Sequence, residues 1–204
     1  MPPSNGLDSL SRISGILIAL SSCSSPSDAR AIYPAFPNLA EHIAQLFLDD
    51  RLFDVLPRLQ VQQDLVKRWQ PPVRPALDPY ISTQIGVFSK NFEDHETGHF
   101  LDYPDCCIRS FSERIRYALD EQHEHELAEL SRRGDTKPYF VTISGFVPCS
   151  VLCEESHRRH LIAFADDAQV RAMRSLEAEI ARYLPHFHSE YQGRYYEIRP
   201  ILSR

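Results

Sequence analysis

A chain of 204 residues with 43% hydrophobic and 25% charged side chains has the make-up of a globular protein, not of a disordered or fibrous one. Its formal net charge of −6 at pH 7 argues against the broad basic surface of a nucleic-acid binder, so no nucleic-acid partner is expected. Five cysteines are too few and too odd in number for a disulfide scaffold, which leaves metal ligands, reactive thiols or plain packing.

Leu10, Ile13, Leu17 and Leu20 share one helical face and predict a first helix. The apolar run Ile13 to Leu20 is too short to span a bilayer, and no membrane partner is expected. A cytoplasmic protein is the expectation. The alternative is an exported lipoprotein anchored through Cys23, because Leu20-Ser21-Ser22-Cys23 resembles a cleavage site; the weakly basic start, with Arg12 offset by Asp8, argues against it. Ser21 to Asp28 reads as a loop. After Pro37-Asn38, the stripe Leu39, Ile43, Leu46 and Phe47 predicts a helix, followed by one over Leu52 to Leu56 and another up to Trp69. Pro71, Pro72 and Pro75 close this α-rich portion.

Tyr80 to Phe88, with Ile81, Thr83, Ile85 and Val87, predicts a strand. Asn91 to Leu101 reads as a polar connector. From Cys107 the pattern Cys107, Phe111, Ile115, Ala118 and Leu119 predicts an amphipathic helix running to about Leu130, with Glu121 to Glu129 as its solvated part. Gly134-Asp135 breaks it. Tyr139 to Ile143 is the strongest strand signal in the chain. A helix is expected from Cys149 to about Phe164, another from Ala168 to Tyr183, and a last strand from Arg194 to Ile201. The resulting class is α+β: a sheet of about three strands packed with several helices. An α-rich segment, 1–75, precedes an α+β core, 76–204, the two forming one compact unit.

Two motifs share one local grammar. Tyr103-Pro104-Asp105-Cys106-Cys107 and Phe146-Val147-Pro148-Cys149, with Cys153 following, each end an apolar stretch at a proline and then present cysteines where a helix is expected to start. Unpaired backbone N–H groups at such a start favour thiolates and anions. On a helix, Cys149, Cys153 and His157 would stack one turn above the next. Cys106, Cys107, Cys149 and Cys153 together would make a four-thiolate set suited to zinc or an iron–sulfur cluster. Against this, a free cysteine often packs as a small hydrophobe, and Cys107 continues the apolar stripe. His99 and His157 are possible auxiliary groups. Arg109 could hold an anionic ligand over the thiols, although a lone arginine is more often solvated. Asp105 is expected to cap its helix. His123 and His125 fit a solvated helix face; His186 and His188 fit a loop.

Tyr103-Pro104-Asp105-Cys106-Cys107 with Phe111, and then Pro148-Cys149 with Cys153, resemble the two signatures of the domain-of-unknown-function family 483, over roughly residues 80 to 170. Asp102 stands where that family often has glycine. The resemblance implies that the two motifs belong to one site and implies no activity. Three functions follow from the residues. The first is a metal-thiolate protein using the four cysteines. The second is a metal-free thiol enzyme or redox protein, with Cys106 or Cys149 as nucleophile and His99 or His157 as base. The third is a non-catalytic module for a small anionic ligand. A shared site has a geometric consequence: sulfurs on one zinc lie within roughly 4 Å of each other. It also makes the strands Tyr80 to Phe88 and Tyr139 to Ile143 sheet neighbours.

Overall fold

Local capping chemistry decides most of the helix starts. The computed structural model describes residues 7–87, 92–114, 118–134, 136–185 and 194–201. Helix α1, Leu7–Ser21, buries the expected face through Leu10, Ile13, Leu17 and Leu20. Helix α2, Pro26–Ile32, begins inside the expected loop, because the Ser25 hydroxyl accepts from the Asp28 N–H and Pro26 presets the first turn. Helix α3, Pro37–Leu48, has no side-chain cap of its own. The buried Glu96 carboxylate supplies one, accepting from Leu39 N–H at 2.8 Å and Asn38 Nδ2 at 2.7 Å. One helix, α4 (Val55–Trp69), replaces the two expected between Leu52 and Trp69.

The strand expected over Tyr80 to Phe88 does not form. Residues Pro79–Gln84 are helix α5, opened by Asp78, whose carboxylate accepts from Tyr80 N–H, and by Pro79. A cap and an N-terminal proline outweigh the β-branched pattern here. Phe88 lies outside the described residues, as do Ile115, His186 and His188. The expected connector before the first motif is helix α6, Asp94–Phe100. The long helix expected from Cys107 is two: α7, Asp105–Arg114, and α8, Glu121–Arg133. A reciprocal capping box between Asp120 and His123 makes the second start. Gly134, at φ 70°, ends α8 as the sequence suggests.

Strand β1, Tyr139–Ile143, leads into helix α9, Glu154–Arg158, strand β2, Ile162–Ala165, helix α10, Asp167–Tyr183, and strand β3, Tyr196–Pro200. The sheet order is β2-β1-β3, antiparallel throughout, with Phe140 opposite both Phe164 and Arg199. β1 is therefore central and pairs with neither side of the Tyr80 region. No single helix runs from Cys149 to Phe164; only α9 forms within it, and pairing of 162–165 with β1 claims its end. The protein is α+β, with many helices around a small three-stranded sheet. Among the described residues the buried apolar side chains form two clusters. One, from Leu10 to Leu101, joins α1, α3 and the start of α4; the other joins β1, β2, β3 and α10 through Phe140, Val141, Met173, Leu176 and Tyr196. Each large side chain so buried contributes about 1.5–3 kcal/mol. Among the described residues no helix is long and apolar enough to cross a membrane.

α6 and α7 meet at Gly98. A Cβ there would stand 2.7 Å from Ile108 Cγ1 and 2.9 Å from Cδ1. Gly98→Ala is expected to destabilise the protein by about 1–2 kcal/mol, the overpacking cost exceeding alanine's better helix propensity. Urea denaturation checks this; a variant as stable as the parent would show that α6 and α7 can separate freely.

Candidate metal centre

The turn between α6 and α7 delivers the first motif. Tyr103 N–H bonds Gly98 O at 2.9 Å and Asp102 N–H bonds His99 O at 3.3 Å, which is a Schellman ending for α6. Its left-handed position is Asp102, at φ 62°. Glycine suits that backbone best, and aspartate is one of the few residues that tolerates it. The carboxylate compensates: Asp102 pairs with Arg12 of α1 and accepts from Arg159 Nη1 at 3.0 Å. Asp105 is the first residue of α7 instead of its cap; Pro104 O accepts the first helical bonds from Cys107 and Ile108. Cys106 and Cys107 thus occupy the first turn, Cys106 exposed and Cys107 buried.

The second motif leaves β1 through Gly145, at φ 77°, and runs as an irregular segment to Cys153, which caps α9. The i, i+4, i+8 helical stripe is therefore not what brings its cysteines together. α8 holds this segment down. His123, fully buried, bonds Pro148 O through Nε2 at 2.8 Å. Glu126 accepts from Ser150 Oγ and Val151 N–H, both at 2.8 Å. The ring of Tyr103 packs on that of Phe146, centroids 4.6 Å apart, joining the two motifs directly.

The result is one cluster. The Sγ atoms of Cys106, Cys107, Cys149 and Cys153 all lie within 4.8 Å of one another. Cys106 and Cys107 are 3.9 Å apart, and each is 3.7 Å from Cys153. Cys149 N–H points at Cys107 Sγ at 3.3 Å, and the buried Ser156 hydroxyl is 3.2 Å from the same sulfur. A tetrahedron of Zn–S bonds sets an edge of about 3.8 Å. Without a metal, burial pushes the Cys107 thiol far up and Cys149 up to about 12. Burial also raises Cys153, but the Ser156 side chain and backbone outweigh it and hold that thiol below its ordinary value.

The auxiliary candidates do not join the four sulfurs. His157 Nε2 bonds Val151 O at 2.9 Å and its ring stacks on Phe164. His99 stands 3.8 Å from Asp105. Arg109 is exposed on α7. Cys23 lies just beyond α1, its thiol against Ala19 O at 3.5 Å. His123, Glu126 and Ser156 were the residues the sequence hid. Two of them sit in a run rich in Glu and His that reads as solvated; the capping spacing Asp120 to His123 was the one available clue.

Glu126 yields a test. Burial raises its carboxyl, but bonds from Gln122, Val151 N–H and Ser150 prevail and hold it below the ordinary glutamate range. Its contribution is therefore present above that range and lost as pH falls through the depressed value. Glu126→Gln is expected to cost about 1–2 kcal/mol at pH 7, after discounting for solvent screening, and markedly less at pH 3. Denaturant titration at both pH values checks it; an equal cost at both would detach the effect from the carboxylate.

A family model described as protein of unknown function (DUF483) matches residues 59–181, a span that contains all four clustered cysteines and extends beyond the 80–170 expected from the motifs. An uncharacterized protein of Methanothermobacter thermautotrophicus is 46% identical over 145 residues, covering 71% of this chain and 78% of the relative. An uncharacterized protein of Methanocaldococcus jannaschii is 38% identical over 165 residues, covering 79% of this chain and 87% of the relative. No solved structure matches the chain. The chain belongs to the DUF483 family.

Proposed function

We propose that this DUF483 protein holds a single tetrahedral metal ion, zinc, on Cys106, Cys107, Cys149 and Cys153, and that the ion staples the start of α7 to the segment between β1 and α9. The observation that carries the reading is the gathering of all four sulfurs within 4.8 Å of one another, with 3.7–3.9 Å among Cys106, Cys107 and Cys153, close to the edge that one tetrahedral ion sets. In a [4Fe–4S] cluster each thiolate sits on a different iron, so the sulfurs spread beyond the spacing a single ion sets. Four protein ligands fill zinc's coordination, which favours a structural role over Lewis-acid chemistry. A reducing compartment such as the cytoplasm would keep the thiols available.

The metal-free thiol enzyme draws less support. Of its two candidate nucleophiles, Cys106 and Cys149, the second would carry a thiol pushed up to about 12; of its two candidate bases, His157 is engaged with Val151 O and His99 faces Asp105 at 3.8 Å. The deciding experiment is elemental analysis of protein purified without oxygen or chelator. One zinc per chain is expected. Substoichiometric metal of every kind would move the function to thiol chemistry, and stoichiometric iron with visible absorption would replace the zinc.

A further inference from the structure

Tyr103 and Phe146 also wall a cavity away from the four sulfurs, none of which lines it. It has a volume of about 540 Å³ and is lined largely by apolar side chains such as Leu77, Leu101, Phe111 and Leu119. That volume is in the range of pockets for small organic ligands. A smaller cavity reaching Cys107 shares the walls Tyr103, Phe111 and Phe146 with it.

Arg74 lines the large cavity and is 1% exposed. Its Nη1 donates to Pro75 O at 3.1 Å and its Nη2 to Leu101 O at 2.9 Å. Nε is buried and finds no acceptor among the described residues, and no carboxylate there pairs with the guanidinium. Asp102 is near enough to favour the charge, but its carboxylate is bonded to Arg12 and Arg159. A guanidinium does not shed its proton, so a buried, unpaired arginine is costly unless an anion completes it. The Tyr196 hydroxyl, electrostatically coupled to Arg74, is also buried without a partner among the described residues. Two carbonyl bonds explain how Arg74 is held in place. They do not explain why a permanent cation with a spare donor is buried in the wall of an apolar cavity.

We propose that this cavity binds a small organic carboxylate, apolar or aromatic in its body, whose carboxylate is taken by Arg74. Nε–H, which has no acceptor among the described residues, and the second hydrogen of a neighbouring Nη would form the planar fork that a carboxylate matches. The apolar walls take the body, and Arg194 and Glu197 at the lining add polar selection. This site is separate from the cysteine cluster, and its test does not depend on which metal the cysteines hold.

The test is calorimetric titration of the metal-replete full chain with cinnamate and decanoate, each beside its neutral primary amide. The acids are expected to bind tighter than the amides by roughly tenfold or more, the worth of a charge-assisted hydrogen bond to a buried guanidinium. Arg74→Met is expected to erase that preference, and Arg194→Met to leave it. Equal binding of acid and amide, absence of binding by all four probes at millimolar concentration, or a preference that follows Arg194 would each overturn the assignment. Should Arg74→Met fail to fold, the acid–amide comparison on the parent protein decides.

Discussion

Removing the metal from the metal-replete protein with a strong chelator is expected to lower its melting temperature by about 10 °C, a loss of roughly 4 kcal/mol for a chain of this size. The proposed staple would join Cys107 to Cys153 across 46 positions of sequence, so that without it a long stretch of chain regains freedom. The loss stays below that of a zinc-dependent finger because the two apolar clusters remain and hold most of the fold. Cys149→Ser removes one proposed ligand and is expected to match chelation. Cys23→Ser, at the far end of α1, is the control and is expected to stay within about 0.5 kcal/mol of the parent. Because metal uptake strips protons from thiols, affinity should rise with pH, with measurable proton release on loading. Melting unchanged by chelation in protein shown to contain the metal would remove the staple from the account of stability.

The second large effect is expected at His123. The ring is fully buried; one nitrogen holds Pro148 O and the other completes the cap of α8 on Asp120. His123→Ala opens a cavity, orphans a buried carbonyl and breaks the capping box at once. Those losses together come to about 3–4 kcal/mol. Since Pro148 precedes Cys149, the variant is also expected to hold its metal more weakly. Denaturant titration and competition with a chromophoric chelator read the two effects separately. Metal affinity equal to the parent's in a destabilised variant would confine His123 to packing.

The strongest periodic signals survived folding: the α1 face, β1, α10 and the last strand all stand where their patterns place them. The failures share a cause. Tyr80 to Val87 alternates like a strand, but Asp78 and Pro79 start a helix that its apolar residues Ile81 and Ile85 can serve equally well. The segment after Cys149 carries a helical spacing of cysteines, yet sheet pairing at Ile162 and tethering by Glu126 and His123 come from residues remote in sequence. The gathering of the four sulfurs was legible because each pair belongs to a short motif that opens at a proline. What surrounds them was not, because Ser156, Glu126 and His123 reach the site only through tertiary packing. The route by which the motifs meet also differed: β1 delivers the second, whereas a Schellman turn at Asp102 delivers the first.

X-ray absorption at the metal edge tests the central claim most directly. One zinc surrounded by four sulfur atoms at about 2.3 Å, with no second metal in its near shell, is the predicted result. A short metal–metal distance, or nitrogen and oxygen ligands in place of sulfur, would contradict the assignment of a single ion to Cys106, Cys107, Cys149 and Cys153.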